Sequence, residues 1–188
     1  MTQTDRILTF SDCFVISCGT VCLDLNQRAV LILRHRGKNQ FYFPKGRKNR
    51  GETLEDAAVR ETYEESGYPC QLLQHNCLST KAPCPNQDKR SLDSLLDKNV
   101  GEKNELHTEP FAVQQWVYQD GVRKLIFWFL ATADSLQPPH ENTQDEGEEK
   151  DNFEAHWINI EGALAMLTFE DDRELIRKAL EVLKLSKT

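Results

Sequence analysis

One amphipathic stretch, from Thr53 to Ser66, stands among long runs of β-type sequence and carries three glutamates within about one helical turn. Its apolar or small residues Val59, Thr62, Tyr63 and Ser66 follow the i, i+3, i+4, i+7 rule. Thr53 offers an N-cap and Gly67 a stop, so the spacing predicts a helix between them. Glu61 and Glu65 are i, i+4 on that helix and Glu64 is i+3 from Glu61, which projects all three carboxylates toward one side. Unbalanced, they would repel one another. Three oxygen ligands so placed suit a hard divalent cation such as Mg²⁺ or Mn²⁺, which also bridges to phosphate oxygens. Arg60, i, i+4 from Glu64, is placed to steady that group or Glu52. The competing reading is a solvated acidic helix face with ordinary salt bridges.

Around this helix, residues rich in β-branched and aromatic side chains stand at 13–25, 29–35, 70–79, 111–118, 122–132 and 154–160. Asn26-Gln27 and Asp120-Gly121 predict tight hairpins. A second amphipathic helix is expected from about Glu170 to Leu185, with Leu175, Ala179, Leu180, Val182 and Leu183 on one face. Strands, one helix, more strands and a terminal helix predict an α+β sandwich with a mixed sheet, built as one domain over 1–188. Residues 83–105 and 137–152 break the pattern as polar, Pro-bearing or charge-rich segments and are expected to be surface insertions. The second holds six acids against Lys150 alone from Glu141 to Asp151, with almost no apolar anchor.

Charge narrows the function. With 23 basic against 30 acidic residues in 188, the formal balance is −7, which excludes a protein that coats nucleic acid through its overall charge. No window approaches a membrane span, and the N-terminus lacks a secretory leader pattern; a cytoplasmic location is expected, with the nucleus also open, although a secreted chain trimmed of its leader would look the same. Cys13, Cys18 and Cys22 lie in an apolar run as small hydrophobes, and a reduced protein is the favoured reading. Cys70, Cys77 and Cys84 recur every seven residues, but strand and loop sequence with only His75 nearby argues against zinc.

The segment Gly46 to Tyr68, GRKNRGETLEDAAVRETYEESGY, resembles the Nudix box, G-x5-E-x7-R-E-U-x-E-E-x-G-U with U aliphatic. Gly46, Glu52, Arg60, Glu61, Glu64, Glu65 and Gly67 fill every fixed position; a chance match of this kind arises on the order of once in a million chains of this length. Thr62 and Tyr68 depart from the aliphatic preference, which touches local packing and not chemistry. The resemblance implies an α/β/α sandwich with a central mixed sheet, and hydrolysis of a phosphoanhydride by water attack at phosphorus. It implies Glu61, Glu64, Glu65 and the Gly46 carbonyl as ligands of Mg²⁺ or Mn²⁺. It also implies Glu64, or else Glu61, as the group that activates water, with Arg60 beside them; Glu154 is an outside candidate for the base.

From Arg34 to Arg50 stand seven cations and no acid. Arg34, Arg36, Lys45, Arg47 and Lys48 are the expected substrate contacts, forming an anion funnel, while Lys38 and Arg50 are the first to be set aside as surface charges. The funnel, the Phe43-Pro44-Lys45-Gly46 run and the closing segment resemble the Nudix subgroup that cleaves diphosphoinositol and diadenosine polyphosphates. An inositol pyrophosphate is the leading expectation for the substrate, with diadenosine polyphosphate next. Capped RNA is a further alternative, needing an aromatic clamp from among Phe41, Tyr42, Phe43, Trp116 and Trp128. A ligand sensor that has given up catalysis is the non-enzymatic alternative; here every acid is retained. No membrane partner is expected.

Overall fold

A computed structural model describes residues 7–76, 106–141, 143 and 153–185. Its centre is a parallel pair, β1 (Phe14–Asp24) and β7 (Arg123–Thr132), in register from Phe14 opposite Arg123 to Leu23 opposite Thr132. On the far side of β1 lie β2 (Ala29–His35) and β3 (Gln40–Tyr42), while β5 (Gln71–Leu72) pairs with β7, all antiparallel. Three further strands complete a mixed sheet of eight: β4 (Lys45–Arg47) on β1, β6 (Ala112–Val117) on β7 and β8 (Phe153–Asn159) on β2.

Strand alternation gives the central strands two apolar faces, as a sheet covered on both sides requires. On one face Cys18 and Phe129 pack against Ala57 and Ala58 of α1 (Leu54–Ser66), and the Thr20 and Thr62 hydroxyls meet at 2.8 Å. On the other, Val21, Ile126, Trp128 and Leu130 pack with Ala163 of α2 (Ile160–Met166) and with Leu175, Ile176, Ala179 and Val182 of α3 (Glu170–Leu185). Burial of each large aliphatic side chain contributes about 1.5–3 kcal/mol, so the two helix layers are held by the sheet's own side chains. The result is the expected α+β sandwich, helix, mixed sheet, helix.

α1 begins and ends where its caps predict. Thr53 Oγ1 accepts from the Asp56 amide at 3.0 Å, and Gly67 closes the helix at φ +78°, in the left-handed region that a side chain disfavours. The hairpins at Asp24–Ala29 and Tyr118–Val122 also form, the second with Gly121 at φ +86°.

Three elements differ from expectation. The 40–47 stretch folds as the short strands β3 and β4 around Pro44; three-residue strands are too brief to show a period. The β-run expected through residue 160 stops at Asn159, whose side-chain oxygen accepts from the Gly162 amide at 2.7 Å and starts α2. Of the 70–79 run, the described residues 70–76 form β5 and a bridge between His75 and His107, and 77–79 lie outside the described residues. The segment 83–105 lies outside the described residues. Of 137–152, the first residues sit on the end of α1: His140 donates its amide to the Gly67 carbonyl at 2.8 Å, and the Thr143 hydroxyl reaches the Glu64 carbonyl at 3.0 Å. Among the described residues no helix is long and apolar enough to cross a membrane.

Candidate active site

β4 brings Gly46 beside Cys18 of β1, on the face that α1 covers, and there the Glu61 carboxylate lies over the Gly46 Cα. A Cβ at position 46 would stand 1.7 Å from Glu61 Oε2, so glycine is what lets the Glu61 carboxylate rest over this strand. One residue earlier, the Lys45 amide donates to Glu65 Oε2 at 2.8 Å. The strand and the helix are thus joined at two consecutive residues through two of the glutamates.

Arg60 is the hub of the acidic cluster. Its guanidinium grips Glu52 through two bonds of 2.7 and 3.0 Å and donates to Glu61 Oε1 and Glu64 Oε2, each at 2.7 Å. A fifth bond, 2.9 Å to the Arg47 carbonyl, ties the loop to the helix. One arginine therefore balances three carboxylates, where Glu64 or Glu52 was the expected partner. Its hydrogen bonds hold the Glu52 carboxyl below the usual range. Burial pushes Glu61 up despite Arg60, and pushes Glu65 up to about 7 against the pull of Lys45.

Among the described residues no group of three His, Cys, Asp or Glu stands ready to hold a metal ion, and Arg60 and the Lys45 amide bind one oxygen each of Glu61, Glu64 and Glu65. The donor set nevertheless fits a hard divalent cation: Glu61, Glu64 and Glu65 on adjoining turns, beside the main chain of Gly46, offer oxygen only. Cys18 and Cys22 are buried free thiols, as their apolar run predicts, whereas Cys13, expected with them, is exposed before β1 begins; Cys70 is buried too, and none of these joins the set.

Glu61 and Glu65 form part of the lining of a cavity of about 870 Å³, together with Gly46, Lys45, Arg47 and Lys124. Burial lowers Lys124 to about 8, with Lys45 adding to the effect. Two ammonium groups approach the Trp116 ring, Lys45 Nζ at 5.7 Å and Lys124 Nζ at 5.1 Å, and Lys45 is also 4.9 Å from the Tyr42 ring. Phe153 and Phe169 extend this aromatic wall, and the α3 residues Asp171 and Asp172 close the lining. Burial pushes Asp172 up to about 7, with Lys45 opposing.

The expected funnel divides. Lys45 and Arg47 line the cavity, and so does Lys38, which was expected to be set aside as a surface charge. Arg34 and Arg36 do not: both pair with Glu154, at 3.4 and 3.3 Å. The register explains this, since Arg34 faces Glu154 across β2 and β8 while the next pair, His35 and Phe153, points to the opposite side and lines the cavity. Glu154 is thereby occupied away from the acidic cluster. Lys48 donates to the Asn49 carbonyl at 2.9 Å and is not part of the cavity lining. Lys124 and Asp172 were not singled out from sequence; the alternation of β7, with Lys124 in phase with Trp128, was the available signal for the first.

The helix of a mixed-sheet sandwich thus presents three glutamates over a glycine loop, beside a cavity lined by both cations and acids. The NUDIX domain family model matches residues 15–179, and the chain belongs to the Nudix family, whose members are pyrophosphohydrolases that in general use divalent metal ions. Over 61 residues, 24% of this chain, it is 36% identical to putative nudix hydrolase 1 of Caenorhabditis elegans, and over 53 residues, 28% of this chain, 38% identical to mRNA decapping complex subunit 2 of Schizosaccharomyces pombe. These stretches cover only 17% and 7% of those two proteins. In fold the chain is similar to an Ap4A hydrolase of Caenorhabditis elegans in a binary complex, at a TM-score of 0.52 and 18% identity, over 90% of this chain and 98% of that one.

Proposed function

We propose that this chain hydrolyses a phosphoanhydride bond of a nucleoside polyphosphate, a dinucleoside polyphosphate such as diadenosine tetraphosphate first among them. The observation that carries this reading is the single cavity in which Glu61 and Glu65, the cations Lys45, Arg47 and Lys124, and the rings of Tyr42, Trp116, Phe153 and Phe169 meet. An inositol pyrophosphate has no planar ring for such a wall, and the two arginines that would have enriched the funnel for it are held by Glu154. The nucleotide accounts for both halves of the lining, phosphates at the cations and a base on the aromatic wall.

Glu61, Glu64, Glu65 and the Gly46 carbonyl are the groups that would hold Mg²⁺ or Mn²⁺. Such an ion, when bound, neutralises phosphoryl charge and lowers the pKa of water. Glu64 is the first candidate to take the proton of the attacking water. Its carboxylate is aimed by Arg60, which holds Glu61 in the same grip. Lys45, Arg47 and Lys124 offset the charge gathering on the phosphoryl oxygens as the bridging P–O bond breaks. Side-by-side turnover of diadenosine tetraphosphate, an inositol pyrophosphate, capped RNA and ADP-ribose at one metal concentration tests the reading. The dinucleotide is expected to give the highest kcat/KM; preference for the inositol pyrophosphate would restore the reading expected from sequence.

A further inference from the structure

The first turn of α3 carries three acids, Glu170, Asp171 and Asp172, and among the described residues one of them accepts no hydrogen bond. Glu170 binds Arg173 at 2.7 Å and Arg177 at 2.8 Å, and Asp171 accepts from Gln114 Nε2 at 2.9 Å. Both are exposed, as expected for acids that favour a helix N-terminus through its dipole. Asp172 is different. It is 6% exposed, its side chain forms part of the cavity lining, and among the described residues it accepts no hydrogen bond. Its carboxyl opens onto the cavity and receives no donor from the chain, which leaves it free to accept one from a molecule bound there. The neighbouring amide, Gln114, donates to Asp171 and accepts from Trp128 Nε1 at 3.4 Å.

What arrives must carry an N–H donor and must fit beside rings. Asp172 shares the cavity with Trp116, whose ring Lys45 and Lys124 already approach, and with Phe169, three positions ahead of it in the chain. The phosphate-facing cations and the glutamates belong to the same lining, so a ligand with phosphates there has its base left to the aromatic wall and α3. We propose that Asp172 is a specificity-determining residue that accepts a hydrogen bond from an N–H edge of a purine base, which rests on the nucleotide reading above. A base whose edge offers no donor leaves the carboxyl unpaired in the bound state and is discriminated against for that reason.

The test compares adenosine, guanosine and purine riboside 5′-tetraphosphates, the last lacking any exocyclic amino group, with the wild type, Asp172→Ala and Asp172→Asn. Melting curves establish that each variant is folded; Asp172→Asn keeps the volume and one acceptor oxygen. For the wild type, kcat/KM for at least one amino-bearing purine should exceed that for purine riboside by about tenfold or more, the usual scale of a hydrogen bond to a charged group. Asp172→Ala should bring the ratio to about one through a raised KM for the amino-bearing substrate, and Asp172→Asn should retain part of it. A ratio that survives in Asp172→Ala, a wild type that does not discriminate, or an equal loss on all three substrates would overturn the assignment while leaving the nucleotide reading intact. A wild type that cleaves an inositol pyrophosphate and none of the three nucleotides would overturn both.

Discussion

Glu61 Oε2 occupies the space that a Cβ on Gly46 would need, at 1.7 Å from where that atom would stand. The relationship ties a main-chain position in β4 to a side chain in α1. It makes the glycine a requirement of the carboxylate's place and not of backbone torsion.

Gly46→Ala should therefore separate activity from folding. The atoms in the way are the far end of a glutamate, which can swing aside, so melting temperature should change little. Glu61 would leave its position over the loop, and displacement of a catalytic group by about an ångström costs on the order of a hundredfold in rate. Turnover and thermal melts on one preparation check this; a collapse of stability with turnover would mean that the loop itself cannot accommodate the methyl.

Arg60→Ala should cost about 3 kcal/mol, because it leaves Glu52, Glu61 and Glu64 clustered without their common counter-charge. Arg60→Lys keeps the charge but loses the fork and should fall between. Added Mg²⁺ or Mn²⁺ should raise the melting temperature of Arg60→Ala more than that of the wild type, since the freed carboxylates gain an alternative partner. Equal shifts in the two proteins would show that the acids which Arg60 holds are not the ones that take the ion.

The helix and its acids were legible in the sequence because Thr53, the apolar spacing and Gly67 are all local signals, and α1 forms between those two residues. The central strands were legible for the same reason. What stayed hidden depended on distant partners. Arg34 reads as a free cation until Glu154, 120 residues away, is placed opposite it on β8. Lys124 reads as one more polar residue of a strand until β6 sets Trp116 opposite it. Asp172 reads as helix-capping charge until α3 turns it inward. Local chemistry is written locally, whereas the walls of a cavity are assembled from pairings that only the fold makes.

The pH dependence of stability carries a further signature. In the unfolded chain Glu65 titrates near 4.5, and in the fold near 7. The folded state thus holds its proton more tightly, so this group's contribution is fully present below pH 4.5 and is lost as pH rises through 7. Denaturant titrations without metal should show stability falling across that window, and Glu65→Gln should flatten that part of the curve. An unaltered slope in the variant would place the shift on another group.

The two sets of cations should behave differently in kinetics. Replacing Lys45 and Lys124 by Gln should raise KM for a dinucleoside polyphosphate by tenfold or more, as expected when charge-assisted bonds to phosphate are lost. Arg34→Gln with Arg36→Gln should change it by less than about threefold, since those side chains are half-exposed and paired with Glu154. Matched KM series would check this, and comparable effects from both pairs would mean that substrate extends past β2.

The most direct measurement is turnover of diadenosine tetraphosphate by the wild type, Glu64→Gln and Glu65→Gln, with Mg²⁺ and with chelator. Either substitution removes one charge at constant volume. The wild type should turn over with Mg²⁺ and stop when the ion is withdrawn, and each variant should lose at least about a hundredfold in kcat while remaining folded. Hydrolysis that persists in chelator, or that survives both substitutions, would contradict a metal-dependent phosphoanhydride hydrolase built on these glutamates.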